Sequence, residues 1–147
     1  MNKQKAKADL PKSIRAKANS PILLVASDSR ILPELLDGLS TLNLTVVPLR
    51  ENMDTYEKLL WASDMMLVLS ENPDKYLHDA WRNGVIPVVA SDAEGAENYN
   101  PVKETGNSFT FNNDDHWGIF AAIVRALETY RFPHDWAHLI AQAREEV

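Results

Sequence analysis

The chain has 147 residues and no cysteine, and this length suits one compact domain. Its composition, 45% apolar and 24% charged residues, is that of a globular protein and excludes wholesale disorder and a fibrous class. The lack of cysteine excludes a disulfide scaffold and a cysteine-ligated zinc site, and it fits a cytoplasmic protein. No apolar run approaches the roughly 18 residues that a membrane span requires.

The net charge of −6 is unevenly distributed along the chain. Residues 1–20 contain six basic residues and one acid, a net charge of +5, whereas residues 21–147 contain 9 basic and 20 acidic residues, a net charge of −11. The acidic body argues against a nucleic-acid surface. The N-terminal segment lacks the apolar region of a secretory signal, so we expect a basic flexible leader over 1–20, solvated as a tail, ahead of one domain over 21–147.

Short apolar runs alternate with longer amphipathic stretches through the body of the chain. Continuous apolar runs are typical of parallel strands buried on both faces, and they predict strands at 22–26, 44–47, 65–69, 85–90 and 108–111. Apolar residues at helical spacing predict helices at 31–42, 54–62, 73–82, 115–131 and 133–146. Asn83 and Gly84 are expected to end the third of these helices, and Pro133 to begin the last.

This alternation of strand and helix predicts a single three-layer α/β/α domain with a parallel sheet of about five strands. Right-handed crossovers favour the flavodoxin-like strand order 2-1-3-4-5, or half of a Rossmann order. Ligands of such sheets bind at the carboxyl ends of the strands, near the switch point. The loops at 27–29, 70–72 and 91–95 are therefore where we expect a functional site.

Several short motifs follow one another from residue 56 to Trp136. They are Ala-Ser-Asp with an acid-terminated strand at 62–71, Asn-Gly followed by Ile-Pro-Val-Val within 80–89, Tyr-Asn-Pro at 99–101, Phe-Thr-Phe within 106–111, and Arg-Ala-Leu-Glu-Thr-Tyr-Arg-Phe-Pro at 125–133. In this order and spacing they resemble the C-terminal Rossmann-like domain of the GT-B glycosyltransferases. The resemblance is closest to bacterial glycogen synthases and plant starch synthases.

The resemblance implies a domain that holds a nucleoside-diphosphate sugar, ADP- or UDP-glucose, with no further cofactor and no metal ion. Glu71 stands at the family position of an acid near the donor sugar and the reacting centre, so it is the candidate catalytic residue. Asp79, eight residues later, stands at the position that reaches the ribose hydroxyls. Carboxylates suit both tasks because they accept hydrogen bonds from paired sugar hydroxyls.

The loop after the first strand departs from the family, which has an arginine and a lysine there to bind the phosphates. Asp28 and Pro33 stand at those two positions, and Arg30 is the cation nearest to them. An alternative alignment matches 25–28 to the family's second strand. We favour the first alignment because the alternative removes the central strand of the sheet.

Two further phosphate-binding loops also depart from the family. After the candidate catalytic acid, Pro73 removes an N–H donor and Asp74 adds a negative charge, with Lys75 as the compensating cation. The loop that begins at Ser91 keeps Gly95, but a glutamate replaces the other glycine of the family. The resemblance still implies that Lys75, Ser91 and Gly95 contribute to nucleotide binding, together with Arg30.

A GT-B enzyme also needs an N-terminal acceptor domain, since its active site lies in the cleft between two domains. The resemblance therefore implies a truncated or diverged half that transfers glucose only with an N-terminal domain on another chain. The alternative is a non-catalytic regulatory or interaction module with a degenerate receiver-like fold. Ser70 stands where a receiver has its phosphorylated aspartate, so we do not expect phosphorylation.

Two histidines have the spacing of metal ligands. His134 and His138 are separated by four residues on the last predicted helix. Because the neighbouring sequence shows no third ligand in the usual pattern, we expect both to be solvent-exposed without a metal.

Overall fold

Within the described residues, five parallel strands form one sheet. In chain order they are β1 (Ile22–Ser27), β2 (Thr45–Pro48), β3 (Met65–Leu69), β4 (Ile86–Ala90) and β5 (Phe109–Phe111). Their spatial order is β2-β1-β3-β4-β5, which confirms the predicted order 2-1-3-4-5. The computed structural model describes residues 3–10, 20–27, 33–49, 56–112 and 116–147.

Helices pack on both faces of the sheet and confirm the three-layer prediction. Within the described residues they are α1 (Lys3–Ala8), α2 (Pro33–Ser40), α3 (Tyr56–Ala62), α4 (Asp74–Arg82), α5 (His116–Tyr130) and α6 (Pro133–Glu145). α2 contacts α5, α4 contacts α6, and α1 contacts α3. The predicted first residues of α2, α3 and α5, at 31, 54 and 115, lie outside the described residues.

The continuous apolar runs form strands because the sheet is covered on both faces. All residues of β1 from Ile22 to Ala26 and all residues of β3 from Met65 to Val68 are buried. The predicted helix boundaries next to these strands are also found. α4 is followed by Asn83 and by Gly84, whose φ of 68° is the left-handed conformation that favours glycine at a helix end, and α6 begins at Pro133.

α1 lies within the leader for which the sequence predicts a solvated tail. It packs against α3, and Lys3 Nζ donates a hydrogen bond to the backbone carbonyl of Trp61 at 3.1 Å. Lys7 Nζ lies 2.7 Å from Asp64 Oδ2, and both side chains are almost buried. The expectation of a solvated tail therefore does not hold for α1. The division between leader and domain stays a prediction, since 11–19 lie outside the described residues.

Asp64 links three elements through one carboxylate that is 4% exposed. Its Oδ2 accepts hydrogen bonds from Lys7 Nζ and, at 2.9 Å, from the backbone N–H of Ile22, and its Oδ1 accepts one from the Tyr130 hydroxyl at 3.4 Å. Burial, followed by the charge of Asp64, raises the pKa of Tyr130 to about 12. A buried carboxylate is tolerated only when it is paired in this way, so α1 supplies the cation that Asp64 requires.

Candidate functional site

The carboxyl ends of β1 and β3 lie side by side at the centre of the sheet. Ser27, the last residue of β1, is paired in register with Leu69, the last residue of β3. Two residues beyond Leu69, the exposed Glu71 lies in the loop that leads to α4. In a parallel sheet of this order the crevice at these strand ends is where ligands bind. The structure thus places Glu71 at the edge of the sheet that the sequence indicates.

Asp79 is half-buried on α4, and its carboxylate already has a partner. The hydroxyl of Tyr56, at the start of α3, donates a hydrogen bond to Asp79 Oδ2 at 2.8 Å. Burial, followed by this hydrogen bond, raises the pKa of Tyr56, so the hydroxyl stays protonated and remains a donor. One carboxylate oxygen of Asp79 is therefore engaged within the protein, which leaves less acceptor capacity for a ligand.

The first turn of α4 begins with an acid. The helix starts after Pro73, which has no side-chain capping hydrogen bond, and its first residue is the exposed Asp74. Lys75 follows and is also exposed. Because an acid in the first turn already interacts with the positive end of the helix dipole, this helix start is less suited to a phosphate than a glycine-rich one.

Gly95 lies in a loop whose conformation requires glycine. Its φ is 86°, and a Cβ placed there would lie 3.3 Å from Cη2 of Trp81. The side-chain amide of the buried Asn107 donates a hydrogen bond to the Gly95 carbonyl at 2.9 Å, and its Oδ1 accepts one from the backbone N–H of Glu97 at 2.9 Å. The small residue at this position therefore has a structural reason that is independent of any ligand.

Ser91 follows β4 and joins it to the end of β5. Its hydroxyl donates a hydrogen bond to Asn112 Oδ1 at 3.1 Å, and its backbone N–H donates one to the carbonyl of Phe111 at 2.9 Å. Both Ser91 and Asn112 are exposed. Arg30, the cation predicted to bind the phosphates, lies outside the described residues together with 28–32.

The structure brings some predicted residues together with partners that the sequence interpretation missed. The sequence places Tyr56 only within the predicted helix 54–62, whereas its half-buried hydroxyl needs a hydrogen-bond partner and finds it in Asp79. Asn107 was part of a motif and had no assigned role, yet it holds the loop that contains Gly95. The roles of Glu71, Asp79, Lys75, Ser91 and Gly95 in ligand binding stay predictions.

Part of the chain is similar to a curated protein. In an alignment over 67 residues that covers 44% of the chain, the sequence is 34% identical to Glycogen synthase 1 of Synechocystis sp.. The relationship is glycosyltransferase-like. The matched segment spans 14% of the length of that glycogen synthase, so the activity of the whole enzyme does not carry over to this chain. No protein-family model matches the chain.

Within the described ranges, no helix combines the length and the apolar character needed to cross a bilayer.

Proposed function

We propose that the chain is a nucleotide-sugar-binding domain of the glycogen and starch synthase type, diverged from the C-terminal half of a GT-B glycosyltransferase. The observation that carries the proposal is the position of Glu71 beyond the carboxyl end of β3, next to β1 at the centre of the sheet. The partial identity to a glycogen synthase supports the same assignment.

In this proposal the two acids have separate tasks. Glu71 accepts hydrogen bonds from the hydroxyls of the donor glucose and lies nearest the reacting centre. Asp79 binds the ribose through Oδ1, while Tyr56 holds Oδ2 and thereby orients the carboxylate.

The diphosphate is bound weakly in this proposal, because its surroundings are acidic. Lys75, Arg30, Ser91 and the backbone near Gly95 are the proposed contacts, and Asp74 and a glutamate at 94 oppose them. We therefore expect affinity in the millimolar range at low salt, falling as the salt concentration rises because solvent-exposed charges are screened. Glucosyl transfer in this proposal needs an N-terminal acceptor domain on another chain.

Titration of the chain with ADP-glucose and UDP-glucose, followed by chemical-shift changes, tests this binding site. We expect shifts that centre on 70–79 and 91–95, and weaker binding in Glu71→Gln and Asp79→Asn. Glu57→Gln is the matched control, since it removes an exposed acid on α3 and should leave binding unchanged. Unchanged spectra at millimolar ligand, or equal affinity in all three variants, would contradict the donor site.

A transfer assay tests the need for a partner separately. The purified chain is incubated with ADP-glucose or UDP-glucose and an oligosaccharide of glucose, with and without a separately produced N-terminal domain of a glycogen synthase. We expect product only when that domain is present. Product from the chain alone would show that the proposed partner is unnecessary.

A non-catalytic regulatory or interaction module with a degenerate receiver-like fold is the second candidate function. The hydrogen bond between Tyr56 and Asp79 favours it, because it uses part of a proposed ligand-binding carboxylate for internal structure. Pro73 and Asp74 at the start of α4 favour it as well. Nucleotide sugars that leave a folded chain unperturbed, as measured in the titration above, would support this alternative.

A further inference from the structure

Three metal-ligating side chains converge away from the strand-end loops. His134 and His138 lie on one face of the first two turns of α6, and Glu104 reaches them from the loop before β5. Glu104 Oε1 lies 3.5 Å from His134 Nε2, and Glu104 Oε2 lies 3.4 Å from His138 Nε2. The ligand atoms of all three residues lie within 4.8 Å of one another.

The loop that carries Glu104 is held in place by its own hydrogen bonds. Asn100 and Thr105 exchange backbone hydrogen bonds of 2.7 and 3.3 Å across the loop. The side-chain oxygen of Asn100 also accepts hydrogen bonds from the backbone N–H groups of Val102, at 3.0 Å, and Lys103, at 3.2 Å. Glu104 itself has a φ of 56°, a conformation that few residues other than glycine adopt. Its carboxylate is thus directed at α6 by a closed loop.

A second contact fastens the same loop to α6. The hydroxyl of the buried Tyr99 donates a hydrogen bond to Asp135 Oδ1 at 2.7 Å, one residue after His134. Asp135 is thereby engaged with Tyr99 rather than with the histidines. The loop and the helix are therefore positioned relative to each other before any ion binds, which lowers the conformational cost of forming a site.

Two of the three ligand separations approach those of a zinc site, and the exposed side chains must draw the remaining ligand atoms closer than 4.8 Å when an ion binds. Two ligand atoms bound to Zn²⁺ at about 2.0–2.1 Å with a tetrahedral angle are about 3.3 Å apart. The two nitrogen–oxygen distances of 3.4 and 3.5 Å are close to that value, and each involves a different oxygen of the Glu104 carboxylate. Two imidazoles and one carboxylate suit a divalent transition metal, whereas Ca²⁺ and Mg²⁺ prefer oxygen ligands alone.

We propose that Glu104, His134 and His138 bind a divalent transition-metal ion, with Zn²⁺ as the best chemical match, and that the ion fastens the loop 99–106 to α6. Three protein ligands leave a fourth position for water. The side chains are between 40% and 74% exposed, so an ion reaches the site directly from solvent. The expectation that both histidines are simply exposed misses Glu104, because the acid is distant in sequence and approaches only in the folded chain.

The experiment uses the full chain without any affinity-tag histidines, after treatment with a chelator. Zn²⁺ is titrated by calorimetry, and Co²⁺ is followed by its visible absorption as a spectroscopic substitute. We expect one ion per chain. His134→Ala, His138→Ala and Glu104→Gln are each expected to weaken binding at least roughly tenfold, because each removes one of three protein ligands. His78→Ala is the matched control and should bind like the unmodified chain, since His78 is an exposed histidine on α4 outside the cluster.

A second measurement needs no variant that could lose its fold. In the unmodified chain, we expect Zn²⁺ to shift the imidazole NMR resonances of His134 and His138 while those of His78 and His116 stay in place. The absence of binding, shifts spread equally over all four histidines, or unchanged affinity in a folded Glu104→Gln variant would each overturn the proposal.

Discussion

The hydroxyl of Tyr56 donates a hydrogen bond to Asp79 Oδ2 at 2.8 Å and so joins the start of α3 to the middle of α4. This contact connects stability and proposed function, because Asp79 is the residue assigned to the ribose of the donor. If the carboxylate binds a ligand, it does so in an orientation that Tyr56 has already selected.

Replacing Tyr56 by phenylalanine should lower the free energy of unfolding by about 1–2 kcal/mol, since a half-buried hydrogen bond to a charged acceptor is lost. Chemical denaturation measures the change. Tyr76 is also half-buried but lies on α4, so Tyr76→Phe is the control and should lower the free energy of unfolding by less. Equal losses in the two variants would show that the contact with Asp79 contributes nothing.

Lys7 stabilises the fold by neutralising Asp64. Lys7→Met keeps most of the side-chain volume but leaves a nearly buried carboxylate without its cation, so we expect a loss of about 2–3 kcal/mol. Lys5→Met changes an exposed lysine of the same helix and should stay within about 0.5 kcal/mol of the unmodified chain. Thermal or denaturant unfolding of both variants distinguishes a structural α1 from a solvated tail.

The stability of the chain should rise with pH above about 8 because of Lys3. Burial lowers the pKa of Lys3 from 10.5 to about 8, an effect that Asp64 opposes and that Lys7 and Arg144 reinforce. The charged form therefore destabilises the folded state below pH 8, and this cost is relieved as the pH rises towards 10.5. Denaturation curves measured between pH 8 and pH 10.5 should show a smaller increase in the free energy of unfolding for Lys3→Met than for the unmodified chain. An equal increase in both chains would contradict the assignment to Lys3.

Tyrosine ionisation should reverse this trend at higher pH. Burial, followed by nearby carboxylates, raises the pKa of Tyr56 and Tyr99, and it raises that of Tyr130 to about 12. Above pH 10 the unfolded chain loses these protons while the folded chain keeps them, so stability is lost as the pH rises from 10 through 12. The ultraviolet absorbance of tyrosinate measures this directly. Ionisation of all tyrosines of the folded chain near pH 10 would contradict this prediction.

Gly106→Ala should be among the most destabilising single changes in the chain. The φ of Gly106 is 123°, and an added Cβ would lie 2.6 Å from the Cα of Tyr99. Because backbone strain and a steric clash combine, we expect a loss of about 3 kcal/mol. Val102→Ala, at a side chain of the same loop that is 91% exposed, is the control and should be nearly neutral. A neutral Gly106→Ala would mean that the loop can adopt another conformation.

The fold was largely predictable because its signals are local. Apolar runs of strand length identify all five strands, and a parallel sheet covered on both faces permits few strand orders. Gly84 and Pro133 mark helix ends through conformational preferences of single residues. The residues of the candidate site were predictable only in position, because their partners come from distant segments. Neither the hydroxyl of Tyr56 beside Asp79 nor Glu104 beside the histidines has a sequence signal of its own.

The amino-acid sequence by itself determined the five-stranded α/β architecture, the edge of the sheet where Glu71 lies, and the glycosyltransferase-like resemblance. Only the tertiary structure decided how the polar side chains are paired. Lys7 neutralises Asp64, and the Tyr56 hydroxyl donates a hydrogen bond to one carboxylate oxygen of Asp79. Glu104 lies beside His134 and His138. The physical reason is that periodicity and turn preferences act within a few residues. The pairing of polar side chains depends on where the chain brings distant segments together.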